Sequence, residues 1–328
     1  MKIVEKYATV SSMILLAVSA GFLLPISGAY AASYPERPVT MLVGFPAGGP
    51  VDVTARTLIE TVKGDFPKPM AVVNKPGGAA TIATAEVIRS APDGYTLGMI
   101  FSGAVVASPY QTTLPYKGPS DLKPIVDTLI TPVMFAVRAD APWKTMREVI
   151  DFAKANPGKI RLGHTGFGSL AHLAFEDFTR KAQIDITQVP FEGAAGFIRA
   201  LLGGHVDALL AAPGGLMGHY RAGKVKFLGT FEQERMPSLP ETPTLKELGY
   251  DVIRGGTRYF VGAPKKTPAN IIEILHRLFK KGVHAAAFQK YVYDNGYVAD
   301  FTELEDLERE LEKEYVYYGN VTKTVINR

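Results

Sequence analysis

The sequence predicts an α/β protein whose sheets are mostly parallel. Three observations predict it. Short β-rich runs alternate with segments of helical apolar spacing along nearly the whole chain. Gly, Pro, Asn and Asp fall between those segments, where turns need them. The first run passes through Val43-Gly44-Phe45-Pro46-Ala47-Gly48-Gly49-Pro50-Val51-Asp52, a strand feeding a glycine turn and then a helix start.

Each element follows from its own residues. An apolar strand covers 39–43 and a helix 53–62. A strand over 70–74 ends at Lys75-Pro76-Gly77-Gly78. A helix over 83–90 has mixed apolar faces, and Asp93-Gly94 turns the chain into a buried strand over 96–101. β-rich runs cover 125–129 and 133–137. A helix over 146–155 stops at Asn156-Pro157-Gly158. Strands over 161–163, 187–189, 208–211 and 227–230 alternate with helices over 169–181, 194–202 and 216–222. Ile271, Ile274, Leu275, Leu278 and Phe279 form a helical stripe within 271–283. Leu304, Leu307, Leu311 and Tyr315 form another, with Glu and Lys on its other faces.

The N-terminus sets the expected compartment. Lys2 and Lys6 precede an apolar region over 11–26, and Ala29-Tyr30-Ala31 satisfies the small-x-small cleavage rule. Residues 1–31 therefore read as a signal peptide, with cleavage at Ala31/Ala32 and delivery to the periplasm. An uncleaved membrane anchor is the competing reading; the run is short and lacks a basic stop-transfer flank. The chain has no cysteine, which excludes a disulfide framework, a lipidated cysteine and a cysteine nucleophile. A net charge of +4 without a basic cluster gives no footprint for nucleic acid. The length allows two domains, and no low-complexity tract or solenoid repeat is present.

The opening motif carries a specific chemistry. Free N–H groups point out of a helix's first turn, and the helix dipole favours negative charge there. Gly48 and Gly49 let a ligand approach the backbone. A plain β–α connection with turn glycines is the bland alternative.

Further motifs carry a resemblance. Tyr34-Pro35-Glu36-Arg37-Pro38 precedes Phe45-Pro46-Ala47-Gly48-Gly49. Asn74-Lys75-Pro76-Gly77-Gly78 precedes Ala91-Pro92-Asp93-Gly94-Tyr95-Thr96-Leu97. Then come Gly163-His164-Thr165-Gly166-Phe167-Gly168-Ser169-Leu170-Ala171-His172-Leu173, Val189-Pro190-Phe191-Glu192-Gly193, and Leu201-Leu202-Gly203-Gly204-His205-Val206-Asp207. In this order and spacing they resemble the substrate-binding proteins of tripartite tricarboxylate transporters, the Bug receptors. The resemblance implies a two-lobed periplasmic binding protein fold, type II-like, with a ligand cleft between lobes joined by two crossover strands. It places residues 32–132 and 254–328 in lobe one and 133–253 in lobe two.

The resemblance also implies the site. A ligand carboxylate is held by backbone N–H groups and waters from one loop of each lobe. Here those loops contain Phe45, Pro46, Ala47, Gly48 and Gly49, and Phe191, Gly193 and Ala194. Gly166, Phe167, Gly168, Ser169 and His172 are expected near the ligand's far end, and Ser102 at the end of a buried strand. Ser169 could equally be only a helix cap, His172 a hydrogen-bonded helix residue and Ser102 part of a simple turn. Where many relatives have an Asp-Asn pair, this chain has Ala211-Ala212, which argues against an amino-acid ligand. Arg258-Tyr259-Phe260 stands where Trp-x-Gly is common, so Tyr259 joins the expected cleft, as part of a returning crossover.

The expected partners are a small mono- or dicarboxylate and the large and small membrane subunits of a transporter, with no nucleic acid, no cofactor and no metal; the receptor is expected as a monomer. A ligand-presenting receptor for a sensor kinase is the alternative, and a periplasmic α/β enzyme a remote one. No nucleophile elbow, phosphate loop or dinucleotide fingerprint occurs. His276 and His284 lack nearby acidic ligands in sequence.

Overall fold

A computed structural model of the chain describes residues 34–164, 166–191, 194–299 and 301–326. The chain divides into two compact units, Met1–Glu36 and Arg37–Arg328. The expected leader over 1–31 lies outside the described residues. No described helix is long and apolar enough to cross a membrane.

The second unit begins with β1 (Val39–Val43), α1 (Pro50–Val62), β2 (Met70–Asn74), α2 (Thr81–Arg89), β3 (Thr96–Phe101) and a short α3 (Gly103–Val106). β4 (Leu122–Thr131) is followed after two residues by β5 (Met134–Arg138). Then come α4 (Met146–Ala155), β6 (Arg161–His164), α5 (Leu170–Ala182), β7 (Thr187–Pro190), α6 (Ala194–Leu202), β8 (Ala208–Ala211), α7 (Met217–Arg221) and β9 (Val225–Thr230). The chain returns through β10 (Thr257–Pro264), α8 (Ala269–Val283), α9 (Ala286–Asp294) and α10 (Leu304–Ile326).

Two five-stranded sheets result, ordered β2-β1-β3-β10-β4 and β7-β6-β8-β5-β9. β10 runs antiparallel to β3 and β4, and β5 antiparallel to β8 and β9; the other pairs are parallel. The sheets are thus parallel but for one reversed strand in each. Arg258-Tyr259-Phe260, expected in a crossover, lies inside β10 in the body of the first sheet. Every residue of β10 after Thr257 is buried, as a strand covered on both faces should be.

β10 also carries an interior charge. Along β10, Arg258 and Phe260 face one way and Tyr259 the other. Arg258 is 1% exposed and pairs with the fully buried Asp127 of β4, with Glu314 of α10 at 3.7 Å. The second sheet is packed on both faces. Phe135, Phe175, Phe178 and Phe231 anchor one core, and Met134, Phe197, Leu209 and Met217 the other.

α10 does more than cover the first lobe. Its Leu307, Leu311 and Tyr318 share a core with Leu170 and Leu173, at the start of α5 in the second lobe. The Tyr317 hydroxyl donates to the buried Asp177 of α5, and the Tyr318 hydroxyl to Arg254 O at 2.6 Å. The last helix therefore packs against the start of α5 and is bonded to Arg254, just ahead of β10.

Candidate ligand-binding site

Parallel strands present their carboxyl ends to ligands, because that is where their loops gather and helices begin. In the first lobe, β1 delivers the 45–49 loop. In the second, β6 delivers the loop ending at Ser169, and β7 delivers Phe191. Glu192 and Gly193 lie outside the described residues, and Ala194 opens α6.

The first loop is locked from behind. Gly48 N donates to Asp52 Oδ2 at 2.9 Å, and Gly49 N to Pro46 O at 3.2 Å. Asn74 Nδ2 donates to Phe45 O and to Asp52 Oδ1, both at 2.9 Å. Arg56 Nε reaches both Asp52 oxygens at 3.0 Å, and its Nη2 reaches Asn74 Oδ1 at 3.2 Å. Burial opposes ionisation of Asp52. Arg56, the Gly48 amide and Asn74 outweigh it and bring the carboxyl down to about 2.

Gly48, expected to let a ligand approach the backbone, has its own amide engaged by Asp52. The first-turn amides of Val51 and Asp52 are the ones that α1 leaves without an intrahelical acceptor; Val53 N already bonds Gly49 O at 2.9 Å. Gly48 is needed for conformation, with φ at +78°, and its missing Cβ would point into open space. Pro46, Ala47 and Gly48 are exposed, Phe45 and Gly49 half-buried.

Beneath the loop, Phe45 packs edge-on to Phe101 at 5.2 Å, and Phe101 meets Tyr259 at 6.1 Å. Tyr259 is 5% exposed and belongs to the buried core. Ser102 is fully buried: its Oγ accepts from Arg258 N at 3.1 Å and its amide donates to Arg258 O at 2.9 Å. It joins β3 to β10, and the structure places its hydroxyl in the core.

The second-lobe loop has its own lock. Ser169 caps α5, accepting from His172 N at 3.2 Å while donating to Gly166 O at 3.0 Å. Gly168 N donates to His172 Nδ1 at 3.1 Å, and Gly166 N to His164 Nδ1 at 3.2 Å. Both glycines have positive φ. Phe167 is 65% exposed at the crest. Phe191 N donates to His164 O at 2.9 Å, and the Phe191 ring packs 6.4 Å from Phe197. Ala211 ends β8, 4% exposed and paired with Met134.

The lobes meet around these loops. Gln111 Nε2, from the first lobe, donates to Gly168 O at 2.7 Å. On the other side the 295–297 segment abuts the turn after β8: a Cβ on Gly214 would lie 3.0 Å from Asn295 O. Among the described residues no group of three or more His, Cys, Asp or Glu side chains could hold a metal ion.

Sequence reasoning singled out the loops but not Asn74, Arg56, Gln111 or His164 as their supports. The i,i+4 spacing of Asp52 and Arg56 was the available signal.

The profile described as tripartite tricarboxylate transporter family receptor matches residues 54–323. BugT of Bordetella pertussis is 32% identical over 82% of this chain and 82% of its own. A TctC solute-binding protein from Polaromonas superposes with a TM-score of 0.80 at 29% identity, over 89% of this chain and all of the other. MatC of Rhodopseudomonas palustris with bound malate has a TM-score of 0.72 at 27% identity, over 88% of this chain and 100% of that one. Another R. palustris protein, with adipate, has 0.75 at 26%, over 89% and 98%. That fold and family are those of solute-binding receptors rather than enzymes, and this chain belongs to the tripartite tricarboxylate transporter receptor family.

Proposed function

We propose that this receptor captures a small mono- or dicarboxylate without an amino group between its two lobes, in the periplasm, and delivers it to the large and small membrane subunits of a transporter. Residues 32–132 and 254–328 form one lobe in this reading and 133–253 the other, and the receptor acts as a monomer. One ligand carboxylate sits at the start of α1, against the Phe45–Gly49 loop, with Phe191, Gly193 and Ala194 proposed as its contacts from the other lobe. Phe167 packs on the ligand body.

One observation carries the reading. A rigid loop at the carboxyl edge of the first sheet holds a helix start whose Val51 and Asp52 amides have no intrahelical acceptor. Ala211 supports the ligand class, since a buried ammonium needs an acid there. Malate and adipate in two relatives fit the same class.

Titration calorimetry of the mature protein with malate, adipate, aspartate and glutamate tests the reading. The amino-free acids should bind at least about tenfold more tightly, roughly 1.4 kcal/mol. Preference for aspartate or glutamate overturns the ligand class. N-terminal sequencing of secreted material should begin at Ala32.

A further inference from the structure

The second-lobe loop rests on a buried polar cluster. His164 is fully buried at the end of β6, and His172 is 4% exposed in α5. Their rings stack with centroids 5.4 Å apart and planes 23° apart. Each Nδ1 accepts a backbone amide, His164 from Gly166 and His172 from Gly168. A ring nitrogen that accepts carries no proton, so these bonds assign both imidazoles to the neutral Nε2–H tautomer. Phe167 stands edge-on to both rings, at 5.0 and 5.1 Å.

Gly168 is gripped from both sides. His172 holds its amide and Gln111 of the first lobe holds its carbonyl. A Cβ at this position would come within 2.6 Å of Gln111 Oε1, and φ is +79°. The interlobe bond thus depends on how the His172 ring, by holding the 167–168 peptide N–H, sets the Gly168 backbone and with it the direction of the Gly168 carbonyl.

We infer that His164 and His172 are positioning residues for ligand capture: their unprotonated Nδ1 atoms hold the 166–168 loop in the shape that lets Gln111 bridge the lobes. This rests on the proposed carboxylate cleft. A proton on Nδ1 of either ring sets a donor against a backbone donor, and the loop must leave. The groups facing the pair are few. Glu176 Oε1 lies 3.7 Å from His172 Nε2 and is itself bonded by Gln188 of β7. α10 contributes Thr322 and Val325 to the adjoining cavity of about 480 Å³, and the first lobe contributes Gln111. Burial lowers both imidazole pKa values, and His164 lowers that of His172 further; at His164 the backbone bond with Gly166 and then the Glu176 charge oppose the effect of burial.

His172→Asn keeps an acceptor near the Nδ1 position and cannot titrate; His172→Leu fills the space without an acceptor. At neutral pH, calorimetry with adipate or malate should find the Asn variant within about threefold of the parent and the Leu variant at least about tenfold weaker. Between about pH 7 and pH 4 the parent should lose about twofold more affinity than the Asn variant, a comparison that cancels the ligand's own titration. Equal affinity in the Leu variant and the parent, or equal losses in the Asn and Leu variants, overturns the inference. If no carboxylate binds the parent, the cleft reading fails instead. Nitrogen NMR of the ligand-free protein then decides this one: Nε2–H tautomers with a protected Gly168 amide support it, and Nδ1–H tautomers overturn it.

Discussion

The Gly48 amide lies 2.9 Å from Oδ2 of Asp52, and this bond makes the opening loop part of helix α1 rather than a free flap. Asp52 is 1% exposed and receives Arg56 and Asn74 besides. Asp52→Ala should cost about 1–3 kcal/mol, because Gly48 N–H and Asn74 each lose an acceptor. Asp52→Asn should cost less and should weaken ligand binding less. The acid response separates charge from shape. The folded carboxyl titrates at about 2 against an ordinary 3.8, so its contribution is complete above the higher value and is lost as pH falls through the lower. Urea melts at about pH 5 and pH 2 should show a steeper acid loss in the parent than in Asp52→Asn. Parallel losses would remove Asp52 from the account.

Arg258 and Asp127 make a second, deeper prediction. Both are essentially unexposed, so removing one partner strands the other's charge. Arg258→Met should destabilise by about 3–5 kcal/mol. Adding Asp127→Leu should restore much of it, because two apolar side chains need no pairing. Chemical denaturation of the two single variants and the double closes the cycle. A double variant as unstable as the sum of the singles contradicts the pairing.

β10 shows why this part of the fold was hard to read. Arg258 interrupts an otherwise apolar run, and the partner that makes it tolerable, Asp127, is 131 residues away in sequence. No local spacing reports such a pair. α9 was missed for a related reason: its buried residues are Phe288 and Val292, too short a stripe to stand out. By contrast, β1, β2 and β3 were legible because Gly, Pro and Asp cut the chain at their ends. The site divides the same way. The glycine loops announced themselves, whereas their supports reach across 22 residues from Asn74 to Asp52 and 57 from Gln111 to Gly168.

His172 gives a stability prediction independent of any ligand. Burial, and then the neighbouring His164, pushes its pKa from 6.5 to about 4. The unfolded chain therefore takes up the proton first. Stability should be full above about pH 6.5, decline as pH falls toward 4, and level off below. The full loss should be on the order of 3 kcal/mol. This window lies above that of Asp52, so the two can be told apart. Melts of the parent and His172→Asn at about pH 7.5 and pH 4.5 test it, since the variant should keep only the shallower slope that His164 and the other titrating groups contribute. The same slope in both assigns the acid loss elsewhere.

Ala47 offers the sharpest test of the anion site. Substituting Gly48 would mix ligand effects with strain, because its φ is +78°. Ala47 is exposed on the same loop and not among the residues of positive φ, so a longer side chain there leaves the lock of Asp52, Arg56 and Asn74 intact. Ala47→Glu puts a tethered carboxylate beside the start of α1, where it competes with and repels a carboxylate ligand. Ala47→Gln has the same shape without the charge. Ala47→Glu should weaken adipate or malate binding at least about tenfold relative to Ala47→Gln, with unchanged thermal stability. Part of the loss should return at about 1 M salt, where exposed charges are screened within about 3 Å. Equal affinity in the two variants would place the ligand carboxylate away from the Phe45–Gly49 loop.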